Sequence, residues 1–198
     1  MSNTLQENKM GVMPVGKLLV NMALPMIVSM LVQALYNVVD SIYVSQISES
    51  AVTALSLAFP IQNVQIGFAI GTGVGINSLL SKSLGQKDQE KANLAAGNGI
   101  TLVVIFAAVI MLFGAFGVEP YFRMQSSVAE TVEGGIAYSR IVCLLTLGMY
   151  VQITTEKLLQ STGRTFHSMI IQATGAIVNI LLDPVFIFTL GMQIRGAA

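Results

Sequence analysis

The chain has 198 residues, 54% of them hydrophobic and 10% charged, with a formal net charge of zero and a mean hydropathy of +0.72. A soluble domain carries about a quarter charged residues, so this composition excludes an ordinary water-soluble fold and makes lipid the solvent. Zero net charge offers no basic field for nucleic acid, and a single cysteine, Cys143, excludes an internal disulfide or a paired-cysteine metal site.

Residues 1–16 read as a cytoplasmic N-terminal segment and residues 17–198 as one transmembrane lobe. The stretch after Lys17 carries Pro25 and then the polar Gln33, Asn37 and Asp40, with no small-residue cleavage pattern, so it is not a signal peptide. A membrane-spanning helix needs about 20 mostly apolar residues. Segments 17–44, 51–80, 94–118, 136–159 and 169–190 meet that length, which predicts an all-α bundle of five spans. The connections SQISES, KSLGQKDQEK and STGRTFHS are loops by their Gly, Ser and charge content. Within the longer EPYFRMQSSVAETVEGG, the part SSVAETVEGG is expected to form an interfacial amphipathic turn or two before the fourth span.

Basic residues set the orientation. With the N-terminus in the cytoplasm of a plasma-membrane protein, Lys9, Lys17, Lys82, Lys87, Lys91 and Arg164 fall inside. Arg123 and Arg195 fall outside, with Glu49, Glu119, Glu130 and Glu133. The closing QIRGAA follows the fifth span and reads as the start of a sixth helix whose body is missing.

Three acids, Asp40, Asp183 and Glu156, lie inside or at the edge of apolar spans. A charged side chain at the bilayer centre costs about 2.5–3.5 kcal/mol on insertion scales, so such residues face a protein interior or a water-filled cavity. In the first helix Gln33, Tyr36, Asn37 and Asp40 recur at i, i+3, i+4 and i+7 and share one face. In the fifth span Gln172, Asn179 and Asp183 follow a similar spacing, with Gly175 and Ala176 keeping that face slim. Tyr138, Gln152 and Glu156 of the fourth lie 14 and 18 residues apart, close to whole turns. A polar pocket between these three spans is expected. At 1.5 Å per residue the Asp40 and Asp183 carboxylates should differ in height by only about 5 Å. Two such acids in low dielectric cannot both ionise easily, and the pair suits a proton, Na⁺ or a cationic ligand.

Pro25 and Pro184 interrupt the helices that carry these acids and are candidate hinges. Gly67, Gly71 and Gly75 form a double GxxxG, a packing signal rather than a nucleotide loop, since no strand precedes it. His167 is the only histidine and falls at the cytoplasmic edge. No HExxH, GxSxG or paired-cysteine pattern occurs, so the sequence gives no support to an enzyme or to a bound cofactor.

The first-helix segment ALPMIVSMLVQALYNVVDSIYVSQI, then ALSLAFPIQ, SLGQKD, LLQSTGRT and NILLDPVFIF, resemble the MATE (multidrug and toxic compound extrusion) family in order and spacing, closest to its DinF-like branch. The resemblance runs from about Lys17 to Ala198. It implies the N-terminal lobe of a two-lobed, twelve-helix antiporter that exports small amphipathic or cationic compounds in exchange for H⁺ or Na⁺. The branch's proposed network falls on Gln33, Tyr36, Asn37, Asp40, Tyr138, Asn179 and Asp183, and its helix-bending proline on Pro25. Glu156 stands where some members have Asn, which would add negative charge to the cavity or its mouth. Two other readings are a lipid-linked oligosaccharide flippase of the same superfamily, which basic cavity residues would favour, and a non-transporting membrane scaffold or remnant. The resemblance further implies the lipid bilayer and a missing C-terminal lobe as partners, since alternating access needs two bodies.

Overall fold

The structure, a computed structural model, describes residues 13–46 and 48–192 together with Ile194 and Gly196. The expectations for Lys9, Gln193, Arg195, Ala197 and Ala198, and with them the sixth helix, lie outside the described residues. Seven α-helices follow in order among these: α1 Val15–Ser45, α2 Glu49–Gly85, α3 Gln89–Phe116, α4 Val118–Gln125, α5 Ala129–Leu144, α6 Thr146–Ser161 and α7 Thr165–Pro184. A π-helical turn, Val185–Thr189, continues α7. Helices α1, α2 and α3 are long and apolar enough to cross a bilayer, as is α7 with its π turn.

The fourth span departs from a single helix over 136–159. It is made of α5 and α6, bent against each other by 48° at Leu145. The cause is a pair of polar groups at the break. Thr146 donates through Oγ1 to the Val142 carbonyl at 3.1 Å and accepts from Gln65 Nε2 at 2.6 Å. Tyr150 donates its hydroxyl to the Gln65 carbonyl at 3.0 Å. A threonine bonded back onto its own helix and a side chain inserted from a neighbour are both established sources of kinks. The interfacial turn expected within SSVAETVEGG does not form as a separate piece: residues 126–128 are a connection and Ala129 already opens α5, while the short helix α4 lies upstream, in EPYFRMQ.

Helix α2 is the centre of the bundle and packs on α3, α5 and α6, while α1 lies mainly against α7. Its buried residues, Ala54, Ala58, Ile61, Gln65, Ala69, Gly73, Ile76 and Leu80, recur every three or four positions and give one continuous seam. Small side chains on that seam let neighbouring backbones approach. The double GxxxG is not part of it. Gly67, Gly71 and Gly75 sit two residues out of phase with Ala69 and Gly73, about 200° around the helix. A Cβ added at any of the three would meet nothing within 4 Å. The close approaches are instead at Gly99 against Ile76, Gly114 against Cys143, and Gly135 against the Phe122 ring. Cys143 is fully buried there as a packing residue.

Both ends of the bundle are tied across sequence. At one end Ser50 Oγ donates to Glu130 at 3.0 Å, joining the first turn of α2 to the start of α5. Ser48 caps α2 through the Ala51 amide. At the other end Ser81 donates to the Ser161 carbonyl, Asp88 caps α3 through the Lys91 amide, and Gly163 turns the chain at a φ of 78°. Lys82, Lys87, Lys91 and Arg164 belong to this second end.

Candidate functional site

The polar stripe of α1 meets the polar stripe of α7. Gln172 Nε2 donates to Gln33 Oε1 at 3.1 Å, and Asn179 Nδ2 donates to the Tyr36 hydroxyl at 3.0 Å. Farther along, the rings of Tyr43 and Phe188 meet edge to face at 6.3 Å. The partners advance together along both helices, so α1 and α7 run parallel. Asp40 and Asp183 follow the Tyr36–Asn179 rung by four residues on each helix and stand level, one turn farther on.

Asp183 is buried, at 5% exposure, and its Oδ2 has no hydrogen-bond partner among the described residues. Asp40 is half-buried, and its carboxyl interacts electrostatically with that of Asp183. Tyr36 lies one turn before Asp40 on α1, within the electrostatic reach of both acids. The buried Tyr138 of α5 feels Asp40, Tyr36 and Asp183, and its hydroxyl accepts from Gln62 Nε2 of α2 at 2.7 Å. Four helices thus contribute to one polar cluster. The cluster holds a buried acceptor oxygen without a partner among the described residues, which is costly for a carboxylate.

Not every expected residue joins. Asn37 is exposed; the Ser41 Oγ donates to its backbone carbonyl at 2.8 Å, and its side chain bonds none of the described residues. The whole-turn count linking Tyr138 to Gln152 and Glu156 fails at the α5–α6 bend. Gln152 is exposed. Glu156 lies away from the acid pair: it accepts from Gln160 Nε2 at 2.8 Å and lies 3.9 Å from Lys157 Nζ. Gln160 in turn reaches Ser168 at 3.3 Å. This knot sits where α6 turns into α7, and it neutralises Glu156 locally instead of adding charge to the Asp40–Asp183 cluster.

The two proline positions differ. Helix α1 continues through Pro25 without ending. At Pro184 the α-helical ladder stops and the wider π turn begins, with Leu190 donating to the Val185 carbonyl. Such π turns are frequent at functional sites, and this one follows Asp183 directly.

Gln62 and Gln65 were not singled out from the sequence, nor were Thr146, Tyr150 and Lys157. The available signal was two glutamines three apart, Gln62 and Gln65, inside the apolar run of α2. Both glutamines bond across to the fourth span, which explains their presence there.

Residues 25–185 match the model of the MatE family. The chain belongs to that family. A FAD transporter of Shewanella oneidensis is 27% identical over 93% of this chain and 42% of its own length. The multidrug export protein MepA of Staphylococcus saprophyticus is 25% identical over 93% of this chain and 41% of its own. Among solved structures, a MOP superfamily transporter from Pyrococcus furiosus superposes with a TM-score of 0.87 at 31% identity. That match takes in 91% of this chain and 40% of the transporter. An outward-facing multidrug resistance MATE family transporter gives the same TM-score and identity. The chain therefore spans about two fifths of the length of these relatives and matches their N-terminal half. It is a multi-pass membrane lobe of the MATE type, and the relatives it matches are transporters.

Proposed function

We propose that this chain is the N-terminal lobe of a cation-coupled exporter of small amphipathic or cationic compounds, of the DinF-like branch, with H⁺ or Na⁺ as the coupling ion. It lies in the plasma membrane with its N-terminus in the cytoplasm and works against a second lobe. The observation that carries the reading is the level pair Asp40 and Asp183, one of them buried with an unpartnered oxygen, inside a transporter fold. The deprotonated pair holds a cationic compound; a proton or Na⁺ arriving from outside cancels the charge and releases it. Tyr36, Asn179 and Tyr138 surround the pair, the Gln33–Gln172 rung follows two turns away along α1, and Asn37 is exposed beside them. Positive-inside bias at Lys82, Lys87, Lys91 and Arg164 supports the orientation. Acids in place of basic residues at the cluster favour this over a flippase of lipid-linked sugars.

The test uses the complete two-lobed protein in proteoliposomes. Export of a fluorescent cation driven by an imposed H⁺ or Na⁺ gradient is the expected result. Export that runs equally without either gradient would overturn the coupling, and absence of export by the complete protein would overturn the transport reading. The 198-residue lobe alone should not export.

A further inference from the structure

A second feature lies on the α4–α5 hairpin, on a different face of α5 from Tyr138. A groove of about 500 Å³ opens there, rimmed by Glu119, Arg123, Glu133 and Arg140. Its wall is apolar, formed by Ile136, Ala137 and Ile141. Glu119 sits between two guanidinium groups: Arg123 donates through Nε at 3.1 Å and Nη2 at 2.9 Å, and Arg140 through Nη2 at 2.9 Å. Arg123, then Arg140, hold the Glu119 carboxyl below the usual carboxylate range, so it stays charged. Glu119 uses one unit of positive charge and leaves one over. Glu133 is exposed and has no ion-pair or hydrogen-bond partner among the described residues. The groove therefore offers one spare positive and one spare negative charge.

Their placement has a direction. Glu133 lies one turn into α5, and Arg140 seven residues farther along, about 10 Å deeper along the helix. Below Arg140 and Ile141, one turn on, come Leu144 and Leu145, which are 45% and 67% exposed. From the end of the bundle inward the order is a free carboxylate, a guanidinium with spare donors, then an open apolar strip. An amphiphile whose outermost group is an amine, followed by a phosphate and then acyl chains, has the same order. An anionic headgroup without an amine would leave Glu133 unpaired beside it. A choline headgroup has no N–H to donate. We propose that this groove binds a lipid with a zwitterionic phosphoethanolamine headgroup, phosphate on Arg140 and Arg123, ammonium on Glu133, and one acyl chain along Leu144 and Leu145. The site is independent of the Asp40–Asp183 cluster.

The experiment is native mass spectrometry of the delipidated, purified protein titrated with phosphatidylethanolamine, phosphatidylglycerol and phosphatidylcholine of matched acyl chains. The expected result is a preference for phosphatidylethanolamine of about tenfold over the other two, the value of one charge-assisted hydrogen bond. Glu133→Gln, at an exposed position, should abolish the preference over phosphatidylglycerol without removing binding. Arg140→Gln should weaken phosphatidylethanolamine and phosphatidylglycerol alike. Equal binding of the three lipids, a preference for phosphatidylglycerol, or a Glu133→Gln protein with unchanged preference would overturn the proposal. Water-soluble phosphoethanolamine that binds as tightly as the lipid would overturn the assignment to lipid and leave a free-headgroup site.

Discussion

Asp183 follows Asp40 by the same 143 residues that separate Asn179 from Tyr36, and the latter two are joined by a 3.0 Å hydrogen bond. On parallel helices with equal rise, that shared offset carries the register of one rung to the next and sets the two acids at one level. The rung below, Gln33–Gln172, has an offset of 139, one turn less. The seam is thus a ladder of polar contacts whose last rung is a pair of carboxyl groups. Neutral rungs hold the helices in register. The charged one is left with an unpartnered oxygen.

The orientation is checked by single cysteines. Cys143 is fully buried, so a Cys143→Ala background removes it with little loss of volume. Lys87→Cys lies in the turn after α2 and Ser126→Cys just after α4, at opposite ends. With an impermeant maleimide on intact cells, Ser126→Cys is expected to label and Lys87→Cys to stay unlabelled until the membrane is opened. The reverse pattern would invert the topology.

The packing seam predicts opposite outcomes for two glycines on neighbouring helices. A methyl group at Gly114 meets Cys143 Cβ and the backbone behind it, so Gly114→Ala should destabilise by about 1–3 kcal/mol through overpacking. Gly71→Ala points into open space within the lobe and should be neutral or stabilising by up to about 1 kcal/mol, since alanine loses less entropy in a helix. Thermal unfolding of the two variants in detergent measures the difference.

The bend at Leu145 rests on Gln65 and Thr146. Thr146→Val leaves the fully buried Gln65 amide without its acceptor, which should cost about 1–3 kcal/mol. Adding Gln65→Leu removes the stranded group, and the double variant should regain part of that loss. A double-variant loss equal to the sum of the two single losses would show that the two residues act separately.

The Glu119 cluster gives a pH dependence with a defined sign. Arg123 foremost, then Arg140, hold its carboxyl low. A carboxylate depressed on folding contributes stability that is present above its unfolded pKa of about 4.3 and is lost as pH falls through the folded value. Thermal unfolding followed from neutral into acid solution should therefore show an acid limb that Glu119→Gln reduces. The groups are exposed, so the effect is small and should shrink further with added salt.

The sequence made the α1–α7 stripe legible because a polar residue every three or four positions in an apolar helix has no other economical reading. Gln33, Tyr36, Asn179 and Asp183 each appear on the seam for that reason. Glu156 misled because counting turns assumes one straight helix, and the bend at Leu145 comes from Gln65, eighty residues earlier. The glycine stripe misled for a related reason. Spacing shows which residues share a face, but only the neighbouring helices decide which face is buried, and alanines 54, 58 and 69 served as well as glycine. The Glu119–Arg140 pair spans 21 residues across two helices and has no periodic signature at all.

The central claim is that Asp40 and Asp183 form one site at which a cationic compound competes with the coupling cation, and so with protons, for the same negative charge. It is tested most directly by measuring proton uptake or release when a cationic compound binds to the complete, purified two-lobed protein in weakly buffered detergent solution. If the pair is the exchanging site, binding releases protons and weakens as pH falls, because ligand and proton compete for the same charge. Asp40→Asn and Asp183→Asn, which keep the size and remove the charge, should abolish the release and flatten the pH dependence without loss of folding. Unchanged proton release in both variants would contradict the account and make the two carboxyl groups structural.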